Sequence, residues 1–440
     1  MLSHQSILTL GIALIVAFLA ATPGLAQSPP SEPPPPAFVP GEIIVKFQPN
    51  VGRLGAQNSL RAEGLRPLAV SPNEELLRVQ VAPGREAEVI AKLQARGDVA
   101  YATYNYQIQA LGDPNDTYYS SQWALKQAQD HDIDAPEAWD IHTGNSSVII
   151  AMIDTGVDLD HPDLAAKITS GSEAGYNYIF PGLPPNDDNG HGTHVAGIAA
   201  ALSNNDQGIA GVSWGARIMP IKVLSASGAG SIADLSAAIR YAADHGARVI
   251  NMSLGGGCGF GWPNVEEAVN YALSKGVVLM AAAGNSSTTP VICPAAITGV
   301  IAVGATDFED NRAAYSNYGS ALAVAAPGSS VYSTIIDANP AGLGTYGYNT
   351  GTSMASPHVA GLAALLLSFA PSLSTGQARD IIQTTSDDLG APGWDQYYGY
   401  GRINARRALE KVALQTTPSQ PLLLIDDYAS PVLSNIQVTT

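Results

Sequence analysis

The sequence predicts an α/β protein with a mainly parallel central sheet flanked by helices, preceded by a small α+β domain. Three observations carry this expectation. Five apolar, β-branched runs recur between residues 148 and 305, with helical segments between most of them. Residues 41–108 carry a shorter and different set of elements. Between the two stretches lies LGDPNDTYYSSQW, rich in turn formers, which marks a change of domain near residue 112.

From the start of the chain, ILTLGIALIVAFLAA (7–21) is an apolar run too short for a comfortable membrane span and is followed by small residues up to Ala26. It reads as an export signal over residues 1–26, although only His4 stands where a basic start is expected. Stacked prolines in SPPSEPPPPAFVP then forbid helix and sheet, which makes 27–40 a linker. In 41–108, EIIVKFQP and the alternating ELLRVQVAP read as strands, GREAEVIAKLQARG as a helix and YATYNYQIQ as a closing strand.

The main domain, 112–410, takes its strands from VIIAMI, RIMPIKVL, RVINMSL, VVLMAAA and VIAVGA. SIADLSAAIRYAADHG and PNVEEAVNYALSKG show helical spacing and end at Gly246 and Gly276, suited to left-handed C-terminal caps. Such alternation gives right-handed crossovers, and ligands of an open parallel sheet sit at the carboxyl ends of its strands. Asp154 and Asn285 both stand just after such strands. The apolar but unrhythmic stretch LLLIDDYASPVLSNIQVTT, within a tail at 411–440, has no assigned role.

Composition narrows the function. With 440 residues, 46% hydrophobic and 13% charged, the chain can fill a sizeable core. A formal charge of −17 argues against nucleic acid or an anionic membrane as partner. Its two cysteines, Cys258 and Cys293, sit in Gly/Pro-rich loops of an exported chain, where either one bridge or two buried thiols is compatible.

Chemistry concentrates in three distant segments: Asp154 in IDTGVD, His191 in NGHGTHVAG and Ser353 in GTSMASPHVAG. A serine hydroxyl is a poor nucleophile at neutral pH; it needs an imidazole to take its proton and a carboxylate to fix the imidazole tautomer. The apolar run after Ser353 places that serine at a helix N-terminus, where N–H groups can stabilise an oxyanion. His191 and His194 could share a helix face as metal ligands, but GHGTH has glycine where HExxH carries its base. His358 reads as packed in the helix after Ser353.

DTGVDLDHPDL, GHGTHVAGIAA, SLGG, AAAGN and GTSMASPHVAG resemble, in order, the signature segments of subtilisin-like serine proteases, the subtilases. The resemblance spans about 112–410. NDTYYSSQWALKQ and YAADHGARVINMSLGG are most similar to the thermitase-like branch. It implies the subtilisin-like three-layer fold, with Asp154 as orienter, His191 as general base and acid, Ser353 as nucleophile and the Asn285 amide as oxyanion donor. Chain order Asp, His, Ser fits; esterases of the α/β-hydrolase class would show GxSxG and the order Ser, Asp, His. Serine-carboxyl peptidases would replace the histidine by glutamate.

The resemblance further implies extended substrate pairing along Ser253, Leu254, Gly255 and Gly256 and along Ala281 and Gly284, with an open pocket of broad apolar or aromatic preference. It implies structural Ca²⁺ held by Asp116, Asp163, Asn205 and backbone oxygens of Leu202, Gln207 and Ile209. A second calcium site is not expected, because Phe180 and Gly182 stand where acids are needed; Asp187 and Asp188 read as turn caps. Residues 41–108 resemble the family's propeptides, which assist folding and plug the cleft, so cleavage near 109–113 is expected to release the active form. The chain is therefore expected to be a secreted, monomeric endopeptidase acting on proteins and peptides.

Overall fold

The computed structural model describes residues 38–68, 76–106, 113–336 and 345–416. The export signal, most of the proline-rich linker, the segment 107–112 and the tail beyond 416 lie outside the described residues. Two compact units are present, 38–106 and 113–416.

The first unit runs β1 (Phe38–Phe47), α1 (Gly52–Ala62), β2 (Arg66–Pro67), β3 (Leu76–Gln80), α2 (Glu86–Gln94) and β4 (Val99–Tyr106). Its sheet is antiparallel in the order β2-β3-β1-β4. Alternation along β1 turns Ile43, Val45 and Phe47 inward against Leu60, Leu77, Val79, Ile90 and Leu93. Helix α1 is an element beyond those expected from the sequence, because the apolar face of GRLGAQNSLRA is only Ala56 and Leu60. Strand β1 also begins before the expected domain start at 41: a register shift between Phe38 and Ile43 accommodates Pro40 and Gly41.

The second unit runs α3 (Ala135–Trp139), β5 (Ile149–Asp154), β6 (Tyr176–Asn177), α4 (His191–Ala200), β7 (Arg217–Lys222), α5 (Ile232–Asp244), β8 (Val249–Met252), α6 (Pro263–Ser274), β9 (Val278–Ala282), β10 (Ile301–Thr306), β11 (Leu322–Pro327), β12 (Val331–Ile335), β13 (Thr345–Asn349), α7 (Thr352–Phe369), α8 (Thr375–Thr384) and α9 (Ala405–Thr416). Seven strands pair in parallel in the order β11-β10-β9-β8-β5-β7-β6. All five strand runs read from the sequence belong to this sheet.

Side chains alternate across β5. Ile150 and Met152 join the core shared with α4, α7, α8 and α9, whereas Ile149, Ala151 and Ile153 join the core shared with α5 and α6. Three layers result. Helix α7 is apolar all round because it lies between the sheet and its neighbouring helices; it is long enough to cross a membrane, but its residues are almost all buried. Helix α9 carries helical packing past the expected boundary at 410, with Leu409 and Val412 on its buried face.

Candidate active site

Strand β5 ends at Asp154, which is fully buried, and its Oδ1 accepts the N–H of Thr155 at 2.7 Å. Helix α4 begins at His191, so the imidazole projects from its first turn back over that strand end. Asp154 Oδ1 lies 2.7 Å from His191 Nδ1. A carboxylate at that distance requires Nδ1 to carry the proton, which leaves Nε2 bare as a base. Burial pushes the His191 pKa down, but the Asp154 carboxylate, and Asp187 beyond it, outweigh burial and leave it above the ordinary value.

This close approach explains the glycine in GHGTH. A Cβ on Gly192 would stand 2.0 Å from the Gly156 carbonyl oxygen and 3.1 Å from the Asp154 Cβ. The Gly192 N–H instead reaches Thr155 Oγ1 at 2.9 Å. Asp187 caps the same helix: Oδ1 accepts from the N–H groups of Asn189 and Gly190 at 3.0 Å each, and Oδ2 from Thr193 N–H at 2.9 Å and Thr193 Oγ1 at 2.6 Å. Burial pushes the Asp187 carboxyl up, yet these bonds outweigh it and hold it below the usual carboxylate value.

Ser353 is the second residue of α7. Pro357, four residues on, has no N–H to give to the Ser353 carbonyl. That carbonyl accepts from Ser253 Oγ at 2.7 Å instead, and Ser353 Oγ donates to the Ser253 carbonyl at 3.2 Å. This reciprocal pair ties the N-terminus of α7 to the strand end after β8.

Asn285 is fixed by what its oxygen accepts. Oδ1 takes the Thr352 N–H at 2.8 Å and the Thr352 hydroxyl at 2.9 Å, and Thr352 Oγ1 takes the Gly284 N–H at 3.1 Å. With the amide oxygen engaged twice, the Nδ2 donors are the free end. His191, Asn285, Ser353 and Met354 line one cavity of about 540 Å³.

His191 also lines an adjoining cleft of about 530 Å³ with Ser253, Leu254, Gly255, Gly256, Leu235 and Trp262. Four of the six expected substrate-contact residues are thus together. Ala281 is not among them: it is fully buried in β9 between Met252 of β8 and Ala302 of β10, its side chain in the core. The period-two alternation of a central strand turns its Cβ into that core. Gly284 lies beside Asn285, where its N–H serves Thr352.

Other expected residues are accounted for by their bonds. His194 is fully buried, with Nε2 near the carbonyls of Val331 and Gly347, and burial pushes its pKa down to about 4. His358 is buried with Nδ1 on the Met354 carbonyl, and burial likewise pushes it down to about 4. Cys258 and Cys293 are joined in a disulfide. Lys222, buried on β7 beside Asp154, was not singled out from the sequence; it donates to Asp188 at 2.6 Å and to the carbonyls of Thr155 and Leu224. A lysine inside an apolar strand run was the signal.

Around the expected calcium ligands, Asp116 Oδ2 accepts the Asn204 N–H, and Asp163 accepts from Asn205 Nδ2 at 3.2 Å and the Ile209 N–H at 2.9 Å. Leu202 donates its N–H to the Asp163 carbonyl. Burial first, and then the charge of Asp116, push the Asp163 carboxyl up to about 6. Among the described residues no group of three or more His, Cys, Asp or Glu converges as a metal centre.

A buried aspartate on an imidazole, with a serine hydroxyl and an amide donor in the adjoining cavity, belongs to the serine-peptidase class. The Subtilase family pattern matches residues 145–401, and the Fervidolysin N-terminal prodomain pattern matches 26–105. The chain is 42% identical over 379 residues to a thermophilic serine proteinase of Bacillus sp. (strain AK1), covering 85% of this chain and 88% of that one. It is 45% identical over 297 residues to thermitase of Thermoactinomyces vulgaris, covering 68% and 99%. A solved protease from Pseudoalteromonas arctica PAMC 21717 superposes with a TM-score of 0.61 at 33% identity, covering 68% and 99%. The chain belongs to the subtilase family and is a subtilisin-like serine endopeptidase with an N-terminal prodomain.

Proposed function

We propose that Ser353, His191, Asp154 and Asn285 carry out peptide-bond hydrolysis through an acyl-enzyme. Ser353 Oγ attacks the scissile carbonyl carbon while His191 Nε2 takes its proton, and Asp154 holds the imidazole and balances the imidazolium. The carbonyl oxygen, now an anion, is met by Asn285 Nδ2 and by the Ser353 N–H in the first turn of α7. Collapse expels the amine, which receives the proton from His191. Water, deprotonated by the same imidazole, then releases the acid and restores Ser353.

The observation that carries this reading is the 2.7 Å contact of Asp154 with His191 beside a cavity that His191 shares with Ser353 and Asn285. Ser353→Ala tests it: casein hydrolysis should fall by about 10⁶ in kcat, a scale set on a member of this family. Hydrolysis at the parent rate would remove Ser353 from the mechanism.

The cleft edge Ser253–Gly256 has little side chain to select with, which supports broad specificity with apolar or aromatic preference. Residues 41–108 act as an inhibitory propeptide, and the peptidase at 112–410 is released, as a monomer, by cleavage near 109–113. The apolar N-terminal run and a relative named extracellular protease in Xanthomonas campestris, 38% identical over 398 residues, support an extracellular site of action.

Calcium fits the loop around Asp116 and Asp163. Both carboxylates are nearly or fully buried, they accept from amide N–H groups, Asp163 also faces the Tyr346 hydroxyl, and burial first and then their mutual repulsion raise Asp163. A hard cation would remove that repulsion. Asp116, Asp163, Asn205 and carbonyls of Leu202, Gln207 and Ile209 would hold it, and it would contribute stability to this loop rather than chemistry.

A further inference from the structure

The disulfide lies where the substrate edge meets its support. Gly256 and Cys293 form an antiparallel bridge: the Gly256 N–H reaches the Cys293 carbonyl at 2.9 Å and the Cys293 N–H returns to Gly256 at 3.0 Å. Gly255 is packed so closely on this segment that a Cβ there would stand 2.5 Å from the Cys293 carbonyl and 2.8 Å from Ile292. Ile292 in turn donates its N–H to Ala283 at 3.2 Å. The strip at 292–293 therefore lies between the edge 253–257 and the end of β9.

On its other arm Cys258 opens a tight turn. The Gly261 N–H bonds to the Cys258 carbonyl at 2.7 Å, and Trp262 follows as a wall of the cleft. The Trp262 ring comes within 3.5 Å of the place a Gly256 Cβ would take. Three consecutive glycines, 255–257, form this edge, and glycine loses more conformational freedom on ordering than any other residue. Beyond Ser253, which is tied to Ser353, the glycine stretch is joined to the strip at 292–293 by those two backbone hydrogen bonds, which hold it weakly.

Asp154, His191 and Ser353 lie on elements outside the loop closed by the disulfide, residues 258–293. Asn285 lies inside it but is anchored separately to Thr352. We propose that the Cys258–Cys293 disulfide is a positioning element for substrate binding: it holds the glycine edge and Trp262 in register for extended substrates without acting on the catalytic groups. Opening it is a thiol–disulfide exchange with an external dithiol. One dithiol thiolate attacks a disulfide sulfur, the mixed disulfide resolves intramolecularly, and two cysteine thiols and one cyclic disulfide result. This inference rests on the peptidase reading above.

The test compares the mature parent, the Cys258→Ala/Cys293→Ala double variant, and parent reduced with dithiothreitol and alkylated, its two modified cysteines verified by mass. Each is assayed on a peptide with four apolar residues before the scissile bond and on a single-residue aromatic ester. Losing the tether should raise KM for the long peptide roughly tenfold, equivalent to ordering about one more residue on binding. Its kcat, and both constants for the ester, should stay within about twofold. Equal losses on both substrates, a fall confined to kcat, or no change would overturn the proposal. If the double variant fails to fold, the reduced parent carries the same comparison. Should the untreated parent cleave neither substrate, the peptidase reading fails instead.

Discussion

Thr352 should control the rate without touching substrate. Its hydroxyl donates to Asn285 Oδ1 at 2.9 Å and accepts the Gly284 N–H at 3.1 Å, and it is fully buried. Thr352→Val keeps the shape and removes both bonds, while the Thr352 N–H still holds Oδ1 at 2.8 Å. Losing one of two anchors loosens the amide rather than deleting it. Deleting an oxyanion amide costs about 2.7–4 kcal/mol, a figure measured on a member of this family. A single neutral hydrogen bond contributes about 0.5–1.5 kcal/mol, so Thr352→Val should lower kcat about two- to tenfold with KM nearly unchanged. The decisive assay is a double-mutant cycle on kcat with Asn285→Leu. If Thr352 acts through Asn285, adding Thr352→Val to Asn285→Leu should change kcat by less than about twofold. Additive losses would refute the reasoning and assign Thr352 a separate role.

The activity of His191 should follow its proton. Since Asp154 leaves the imidazole above its ordinary value, kcat/KM should rise with pH on an acidic limb centred above about 6.5, and Asp154→Asn should lower kcat about 10⁴-fold. Chelation should lower the melting temperature, and Asp163→Asn should abolish that dependence, as differential scanning calorimetry with and without a calcium chelator would report. Lys222→Met should destabilise the enzyme by about 1–3 kcal/mol, because the carbonyls of Thr155 and Leu224 lose a buried donor and Asp188 its partner; urea unfolding measures it.

The parallel sheet was legible because buried strands concentrate β-branched residues in runs too long and too apolar for loops, as in VIIAMI and VIAVGA. Helix α1 and strand β11 were not, since GRLGAQNSLRA has a thin apolar face and LAVAAP carries alanine where β-branched residues announce a strand. At the site, reactive side chains could be named from their motifs, but their supports could not. Thr352, Thr193 and Lys222 act through partners 67, 6 and 67 positions away respectively, and only folding creates those pairs. Ala281 is expected at the substrate edge from the family's AAAG segment, but a resemblance along a strand does not fix which way each residue faces, and its side chain lies in the core.

The supports share one design. Pro357 leaves the Ser353 carbonyl without its helical donor, and Ser253 fills the gap; Asp187 supplies the acceptors that the first turn of α4 lacks; Thr352 occupies the amide oxygen so that the amide nitrogen faces the cleft. In each case a backbone or side-chain group left unsatisfied by secondary structure is used to orient a reacting one. Asp154 is the exception, because its Oδ2 is buried without a hydrogen-bond partner while Oδ1 serves both His191 and Thr155. An unsatisfied carboxylate oxygen is costly in a folded core. Near an imidazole that must become a cation, the same lack of competing donors leaves the negative charge less neutralised, and so more attractive to the imidazolium formed as Ser353 attacks. Asp154 thus keeps one carboxylate oxygen free of competing donors, and its charge is the one the transition state uses.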